Sequence, residues 1–331
     1  MPLNIHLAEI LPAEPTPLWD LVKQLGVTDV VASVPEGPDL PPPWDFDHLL
    51  RTKQRFADAG FRWAVIESAP RGIQEAIKLG RPDRDEHIEH FCQLVDNMGR
   101  LGIPVMCHNW MAGFGWLRTS MRRPGRGGAL VTAYDHSVMA SAPPTEWGEI
   151  TEAQLWDKMR YFLQRVVPVA ERAGVRLAVH PDDPPISPVR GIARILTSPD
   201  AMRHVLELAP SPANGLTLCQ GTVSSMGVDV PAAIRQLAGT GRVYFVHFRD
   251  VRGGPAEFEE TFQDEGQTDM AAALEAYDEA GFDGYLRVDH VPTMVGEGND
   301  RPGYETLGRL YALGYVRGLI EGVNHRASKP A

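Results

Sequence analysis

Eight short apolar, β-branched runs alternate with amphipathic stretches along this chain, and that alternation constrains the fold more than any other feature. The runs lie at 5–10, 29–33, 63–66, 104–108, 175–180, 216–219, 243–247 and 285–289. Helical patterns lie between or after them, at 18–25, 47–59, 86–101, 155–173, 201–208, 232–237, 270–280 and 304–322. Several of these end at a glycine (Gly26, Gly60, Gly102, Gly174, Gly281), the residue that best tolerates a left-handed C-terminal cap. Continuous apolar strands interleaved with helices predict a parallel sheet covered on its faces by helices. Eight such units make a (β/α)8 TIM barrel the most economical α/β architecture. An open doubly wound sheet is the alternative. No glycine-rich phosphate loop follows the first run, which weakens the nucleotide-binding form of that alternative. The 331 residues suit one barrel of about 250 residues with insertions. The expected organisation is a single catalytic barrel over 1–323 and a disordered tail at 324–331.

One connection breaks the rhythm. Residues 109–151 separate the fourth run from its helix, and a loop of that length in a compact domain is usually functional or disordered. It carries Trp110, Phe114, Trp116, Tyr134 and Trp147 with Arg118, Arg122, Arg123 and Arg126, and the aromatic content argues against disorder. The segment reads as an active-site lid, a subunit contact, or both, and self-association into a homo-oligomer is expected from it.

Charge narrows the choice of partner. Asp plus Glu (43) exceed Lys plus Arg (32), giving a net charge of −11 and a pI near 5.5. That balance disfavours nucleic acid and anionic membranes, while leaving room for a small anion held by a few arginines. No run of 18 apolar residues suggests a transmembrane helix, and the N-terminus lacks the pattern of a signal peptide. Three cysteines are too few for a disulfide framework and suit a reducing, cytoplasmic setting.

His180, Cys219, His247 and Asp289 each stand at or just past the C-terminal end of one of the last four runs. In a barrel those ends converge on one mouth. Imidazole, thiolate and carboxylate together suit a divalent transition metal (Mn²⁺, Fe²⁺, Co²⁺ or Zn²⁺), whereas Mg²⁺ and Ca²⁺ prefer oxygen donors. Singly, each has a plainer reading: a small buried thiol, a hydrogen-bonded histidine, a capping aspartate. Arg249 lies two residues past His247 and Arg287 two before Asp289, so period-two alternation puts each pair on one strand face. Such arginines suit an anionic substrate, or else form ion pairs with nearby aspartates. Tyr304, in the loop Arg301-Pro302-Gly303-Tyr304, is either a proton donor or a tyrosine packed at the start of the last helix.

The blocks His180-Pro181-Asp182-Asp183-Pro184-Pro185, Asn214-Gly215-Leu216-Thr217-Leu218-Cys219, His247-Phe248-Arg249-Asp250-Val251, Arg287-Val288-Asp289-His290 and Arg301-Pro302-Gly303-Tyr304 resemble the D-mannonate dehydratase family of xylose-isomerase-like barrels. Val65-Ile66-Glu67-Ser68, Cys107-His108-Asn109-Trp110-Met111 and Trp116-Leu117-Arg118-Thr119 are similar to its upstream blocks. The resemblance implies a metal, usually Mn²⁺, on His180, Cys219, His247 and Asp289. It also implies acid/base roles for Tyr304 and Asp289, and loss of water from D-mannonate to give a 2-keto-3-deoxy acid. Within that reaction His108, Asn109, Arg118, Arg249, Arg287 and His290 are the expected substrate contacts. The chain departs from the family pattern at Asn4-Ile5-His6-Leu7-Ala8-Glu9 and at His108, where many members have tyrosine. A metal-dependent isomerase or epimerase of the same barrel class is the competing function, followed by a non-catalytic sugar-acid-binding relative.

Overall fold

The computed structural model describes residues 3–327. In chain order the strands are β1 (His6–Ile10), β2 (Asp29–Ala32), β3 (Arg62–Glu67), β4 (Val105–Asn109), β5 (Ser120–Pro124), β6 (Leu130–Asp135), β7 (Arg176–His180), β8 (Asn214–Cys219), β9 (Val243–Phe248), β10 (Val251–Gly253), β11 (Glu257–Glu260) and β12 (Tyr285–Val288). The helices are α1 (Pro17–Gln24), α2 (Phe46–Asp58), α3 (Arg71–Leu79), α4 (Arg84–Leu101), α5 (His136–Ala140), α6 (Glu152–Ala173), α7 (Pro199–Leu208), α8 (Gln220–Ser225), α9 (Val230–Ala238), α10 (Met270–Glu279) and α11 (Thr306–Ala327). Eight parallel strands close into a barrel in the order β1-β12-β9-β8-β7-β4-β3-β2. Each of the eight runs picked out by apolar content becomes one of those strands, so the barrel stands and the open sheet does not.

Two apolar layers hold the barrel. Between sheet and helices lies a large cluster that includes Trp63, Ile66, Leu94, Phe162, Leu218 and Val246. Inside the barrel a smaller one gathers Ala8, Val31, Val65, Val105, Cys107, Ala178 and Phe245. Complete burial of each large side chain stabilises the fold by about 1.5–3 kcal/mol. Local signals fix the helices that flank the site. Thr151 and Gln154 form a reciprocal capping box at the start of α6, and Gly174 closes it at φ 69°.

The connection 109–151 is not a loop. Its β5 and β6 form an antiparallel hairpin that joins β10 and β11, from a second insertion after β9, in a four-stranded sheet ordered β10-β11-β6-β5. Tyr134, Val251 and Phe258 give this sheet its own small core. Mostly exposed, charged strands such as β5 carry no apolar alternation, which is why their sequence reads as loop. The tail also differs from expectation. Helix α11 continues to Ala327, and the Leu3 backbone N–H donates to Asn324 Oδ1 at 2.6 Å, which ties the two termini together. Residues 328–331 lie outside the described residues.

Candidate active site at the barrel mouth

Period-two alternation carries the interior layer directly into the site. Two residues beyond interior Val65, Cys107, Ala178 and Phe245 come Glu67, Asn109, His180 and His247. Cys219 follows buried Thr217 in the same way on β8, and Asp289, just past the end of β12, follows Arg287. Strand register then aligns them: Cys219 pairs with His247, His247 with Arg287, and Asn109 with His180. A cavity of about 250 Å³ opens here, lined in part by Glu67, Asn109, His180, His247, Arg287, Asp289, His290 and Tyr304.

His180, Cys219 and His247 present ligand atoms that all lie within 4.8 Å of one another. The His180 Nδ1–H donates to the Pro181 carbonyl at 2.6 Å, which leaves Nε2 with its lone pair. Burial holds the His180 pKa below the ordinary histidine value, so the ring is neutral and able to ligate. Neither ring nitrogen of buried His247 has a well-formed hydrogen bond among the described residues; Nε2 lies 3.4 Å from Glu67 Oε1 and Nδ1 3.6 Å from Asp289 Oδ2. Buried imidazoles are rarely left so, and two nitrogens and a sulfur fit a divalent transition ion. Asp183, Glu260 and His290 form a second compact group. Two guanidiniums neutralise that one: Arg118 bonds both carboxylates, and Arg249 lies 2.6 Å from Asp183 and 2.8 Å from Glu260.

Asp289 stands beside the ligand trio rather than inside it. Its Oδ1 accepts from Arg287 at 2.8 Å and from the Tyr304 hydroxyl at 3.1 Å. Its Oδ2 lies 3.0 Å from Arg249 Nε and 3.6 Å from His247 Nδ1. Burial alone would raise its pKa, but Arg287, His290, His247 and Arg249 together hold it well below the usual carboxylate range. Tyr304 moves oppositely. Burial and the neighbouring Asp289 charge push its phenol well above 10, so it keeps its proton at neutral pH.

The arginines do not present free charge to a ligand. Arg118 and Arg249 are buried behind the cavity on Asp183 and Glu260, and Arg287 is bidentate to Glu67 at 2.7 and 2.8 Å. Of these three, only Arg287 lines the cavity. A helical Gly221 permits this packing, since a Cβ there would collide with the Arg249 guanidinium. His108 also departs from expectation. It borders the cavity, but alternation turns its ring outward, 5.6 Å from Phe162 and 6.3 Å from Phe91. Burial lowers its pKa to about 3, as expected for a core imidazole. Asn109 and His290 do line the cavity, His290 at a strained φ of 37°.

Sequence reasoning assigned no role to Glu67, Asp183 or Glu260. Glu67 was findable, because it ends β3 by the same two-residue rule that located His180 and His247. Glu260 sits on β11, whose pairing nothing in the local sequence announces.

Glu9, at the departure noted on β1, is buried within 3.5 Å of Arg309, whose guanidinium lies over the Tyr304 ring. Burial, only partly offset by Arg309, pushes its pKa from 4.5 to about 7. The folded state therefore binds the extra proton between those values, and stability is fully present below about 4.5 and lost as pH rises through about 7. The shift corresponds to about 3 kcal/mol. Glu9→Gln should flatten the fall in denaturation midpoint between pH 4 and 8; an unaltered slope would exclude Glu9 as its source.

Comparison with known proteins identifies the family and the fold. The family model for D-mannonate dehydratase (UxuA) matches residues 14–149 and 144–329. Mannonate dehydratase 2 of Halalkalibacterium halodurans is 33% identical over 308 residues, covering 85% of this chain and 88% of the relative. Mannonate dehydratase of Thermotoga neapolitana is 31% identical over 334 residues, covering 90% and 91%. The crystal structure of mannonate dehydratase from Streptococcus suis serotype 2 superposes with a TM-score of 0.89 at 32% identity, covering 99% of this chain and 96% of that one. An L-ribulose 3-epimerase structure, at TM-score 0.64 and 16% identity, shares the fold alone. No helix among the described residues is long and apolar enough to cross a membrane. This chain, a xylose-isomerase-like barrel with a candidate divalent-metal centre at its mouth, belongs to the mannonate dehydratase family of hydro-lyases.

Proposed function

We propose that the protein removes water from a D-mannonate-like sugar acid to give a 2-keto-3-deoxy acid, with Mn²⁺ on His180, Cys219, His247 and Asp289. The convergence of three ligand atoms from β7, β8 and β9 within 4.8 Å carries this reading. When bound, the ion supplies Lewis-acid stabilisation of the negative charge that develops beside the substrate carboxylate. The elimination breaks C2–H and C3–O, forms the C2=C3 enol, and releases water; the enol then tautomerises to the 2-keto acid. Tyr304 keeps its proton at neutral pH, so it is the acid toward the departing C3 hydroxyl. Asp289, joined to Tyr304 by a 3.1 Å hydrogen bond, is an ionised carboxylate beside that acid and takes the C2 proton directly or through a water. Arg287 holds Asp289 and Glu67 in place from one guanidinium. Asn109 and His290 are the polar wall against which the substrate hydroxyls lie.

A thiobarbituric assay over a panel of aldonic and uronic acids tests the reaction. Product is expected from an acid of mannonate type with Mn²⁺ present and should vanish on chelation; metal-loaded protein that turns over none of the panel overturns the proposal. Cys219→Ser replaces a thiolate by a hydroxyl and should lower bound metal by at least about tenfold, comparable to losses at supporting positions. Unchanged metal by elemental analysis would remove Cys219 from the centre. The same reading places the enzyme in the cytosol as a homo-oligomer, supported by three free cysteines and by exposed Met121, Val138 and Trp147 in the 109–151 insertion. Sedimentation as a monomer at micromolar concentration would refute the oligomer.

A further inference from the structure

A second chamber, about 480 Å³, adjoins the reaction cavity and shares Asn109, Met111 and Trp116 with it as a common wall. Its far wall is α3, which contributes Arg71, Gln74, Glu75 and Lys78. No role in the elimination falls to these residues. Gln74 and Lys78 are buried, at 8% and 4% exposure, in a helix whose other buried positions are apolar.

The hydrogen-bonding inventory of this chamber is unbalanced in both senses. Gln74 donates through Nε2 to the Ala69 carbonyl, which leaves its Oε1 without a partner among the described residues. Glu75 Oε1 is likewise unpartnered, and so is the indole Nε1 of Trp116. Lys78 Nζ donates to Asn109 Oδ1 at 2.6 Å; burial lowers its pKa to about 7, so near neutrality it keeps at least one further N–H, and it has no carboxylate within 4.0 Å among the described residues. Two acceptors need donors, while the indole N–H and the spare N–H of the Lys78 amine need acceptors. A carboxylate or phosphate could answer only the second need, because it accepts and does not donate. It would also face Glu36 and Glu75. Hydroxyl groups answer both needs at once. The rings of Phe114 and Trp116 in the same wall add apolar faces against which a pyranose can lie.

We propose that this chamber is a subsite for a second, neutral sugar unit, so that the enzyme accepts sugar acids glycosylated on a hydroxyl remote from the reacting C2 and C3. The acid then occupies the reaction cavity, and its glycosyl substituent crosses the wall of Asn109 and Trp116 to reach Gln74, Glu75 and Lys78. This inference rests on the sugar-acid reading of the first cavity for the acid half of the ligand.

Calorimetry on the metal-loaded enzyme, with a plain hexonate, its 4-O- and 6-O-glucosyl derivatives, and a 6-phosphorylated and a diacid counterpart, separates the possibilities. A glucosyl derivative is expected to bind about tenfold more tightly than the plain acid, the gain of one or two hydrogen bonds to charged groups. Glu75→Ala should cut that advantage to about threefold or less while leaving the affinity for the plain acid as it was, since Glu75 does not touch the reaction cavity. Equal or weaker binding of both glucosyl derivatives overturns the subsite. So does a gain confined to the phosphorylated acid or the diacid, which would make the chamber an anion site. Turnover of the plain acid without a glucosyl advantage rejects the subsite and keeps the dehydratase. A glucosyl advantage that depends on Glu75, without any 2-keto-3-deoxy product, keeps the subsite and rejects the dehydratase.

Discussion

Tyr304→Phe is expected to bind metal normally and to turn over substrate on the order of 10²–10⁴-fold more slowly, the usual contribution of one positioned proton donor. The substitution removes a single oxygen. The ring keeps its edge-on contact with His290 at 5.3 Å and its place beneath the Arg309 guanidinium at 5.4 Å, so packing is conserved. What disappears is the hydroxyl that donates to Asp289 Oδ1 at 3.1 Å, in a setting where burial and the Asp289 charge keep the phenol protonated. The loss should fall on kcat more than on KM, because protonation of the leaving hydroxyl belongs to the transition state rather than to substrate binding. Metal content by elemental analysis and kcat by the product assay check the two halves together. Full turnover with normal metal would transfer the acid role to another group.

Arg249→Met should destabilise the fold by about 3–5 kcal/mol, the cost of leaving buried charges without their partner. One guanidinium serves three carboxylates here: Asp183 at 2.6 Å, Glu260 at 2.8 Å and Asp289 at 3.0 Å. All four side chains are at most 2% exposed, so water cannot replace the lost cation. Arg118 still holds Asp183 and Glu260, and Arg287 still holds Asp289, but those arginines are then left to neutralise the buried carboxylates, Glu67 included, with one cation fewer. Arg123→Met provides the contrast. Its partners Glu257 and Glu259 lie on an exposed face of the β5–β6–β11 sheet, and losing that pairing should cost less than about 1 kcal/mol. Midpoints of denaturant unfolding for the two variants test the difference. Equal shifts would mean that the buried cluster contributes no more than a surface network.

The readable and unreadable parts of this protein divide along a physical line. Strands β7, β8, β9 and β12 were legible because burial on both faces forces a continuous apolar run, and the polar residue that ends each run is conspicuous against it. His180, Cys219, His247 and Asp289 were therefore found as strand-end positions before any contact was known, and the three-dimensional structure brings the first three within one ligand-sized space and sets Asp289 3.6 Å from His247. The arginines illustrate the opposite case. Period two put Arg249 and Arg287 on the same strand faces as His247 and Asp289. Whether they meet a substrate or a protein carboxylate depended on Asp183, Glu260 and Glu67, which arrive from the loop after β7, from β11 and from β3. His108 borders the cavity, but its ring packs against Phe91 and Phe162, which belong to α4 and α6 and cannot be read from the β4 sequence.

By itself the sequence determined the architecture of the barrel and the residues standing at its mouth, since periodicity, glycine caps and apolar runs are properties of neighbouring positions along the chain. Only the tertiary structure decided which charges are spent on one another, how the two charged insertions pair into a sheet, and that α3 walls a second chamber beside the reaction cavity. Those outcomes depend on distances between segments separated by scores of residues, and electrostatic and hydrogen-bond energies follow distance and burial rather than order along the polypeptide.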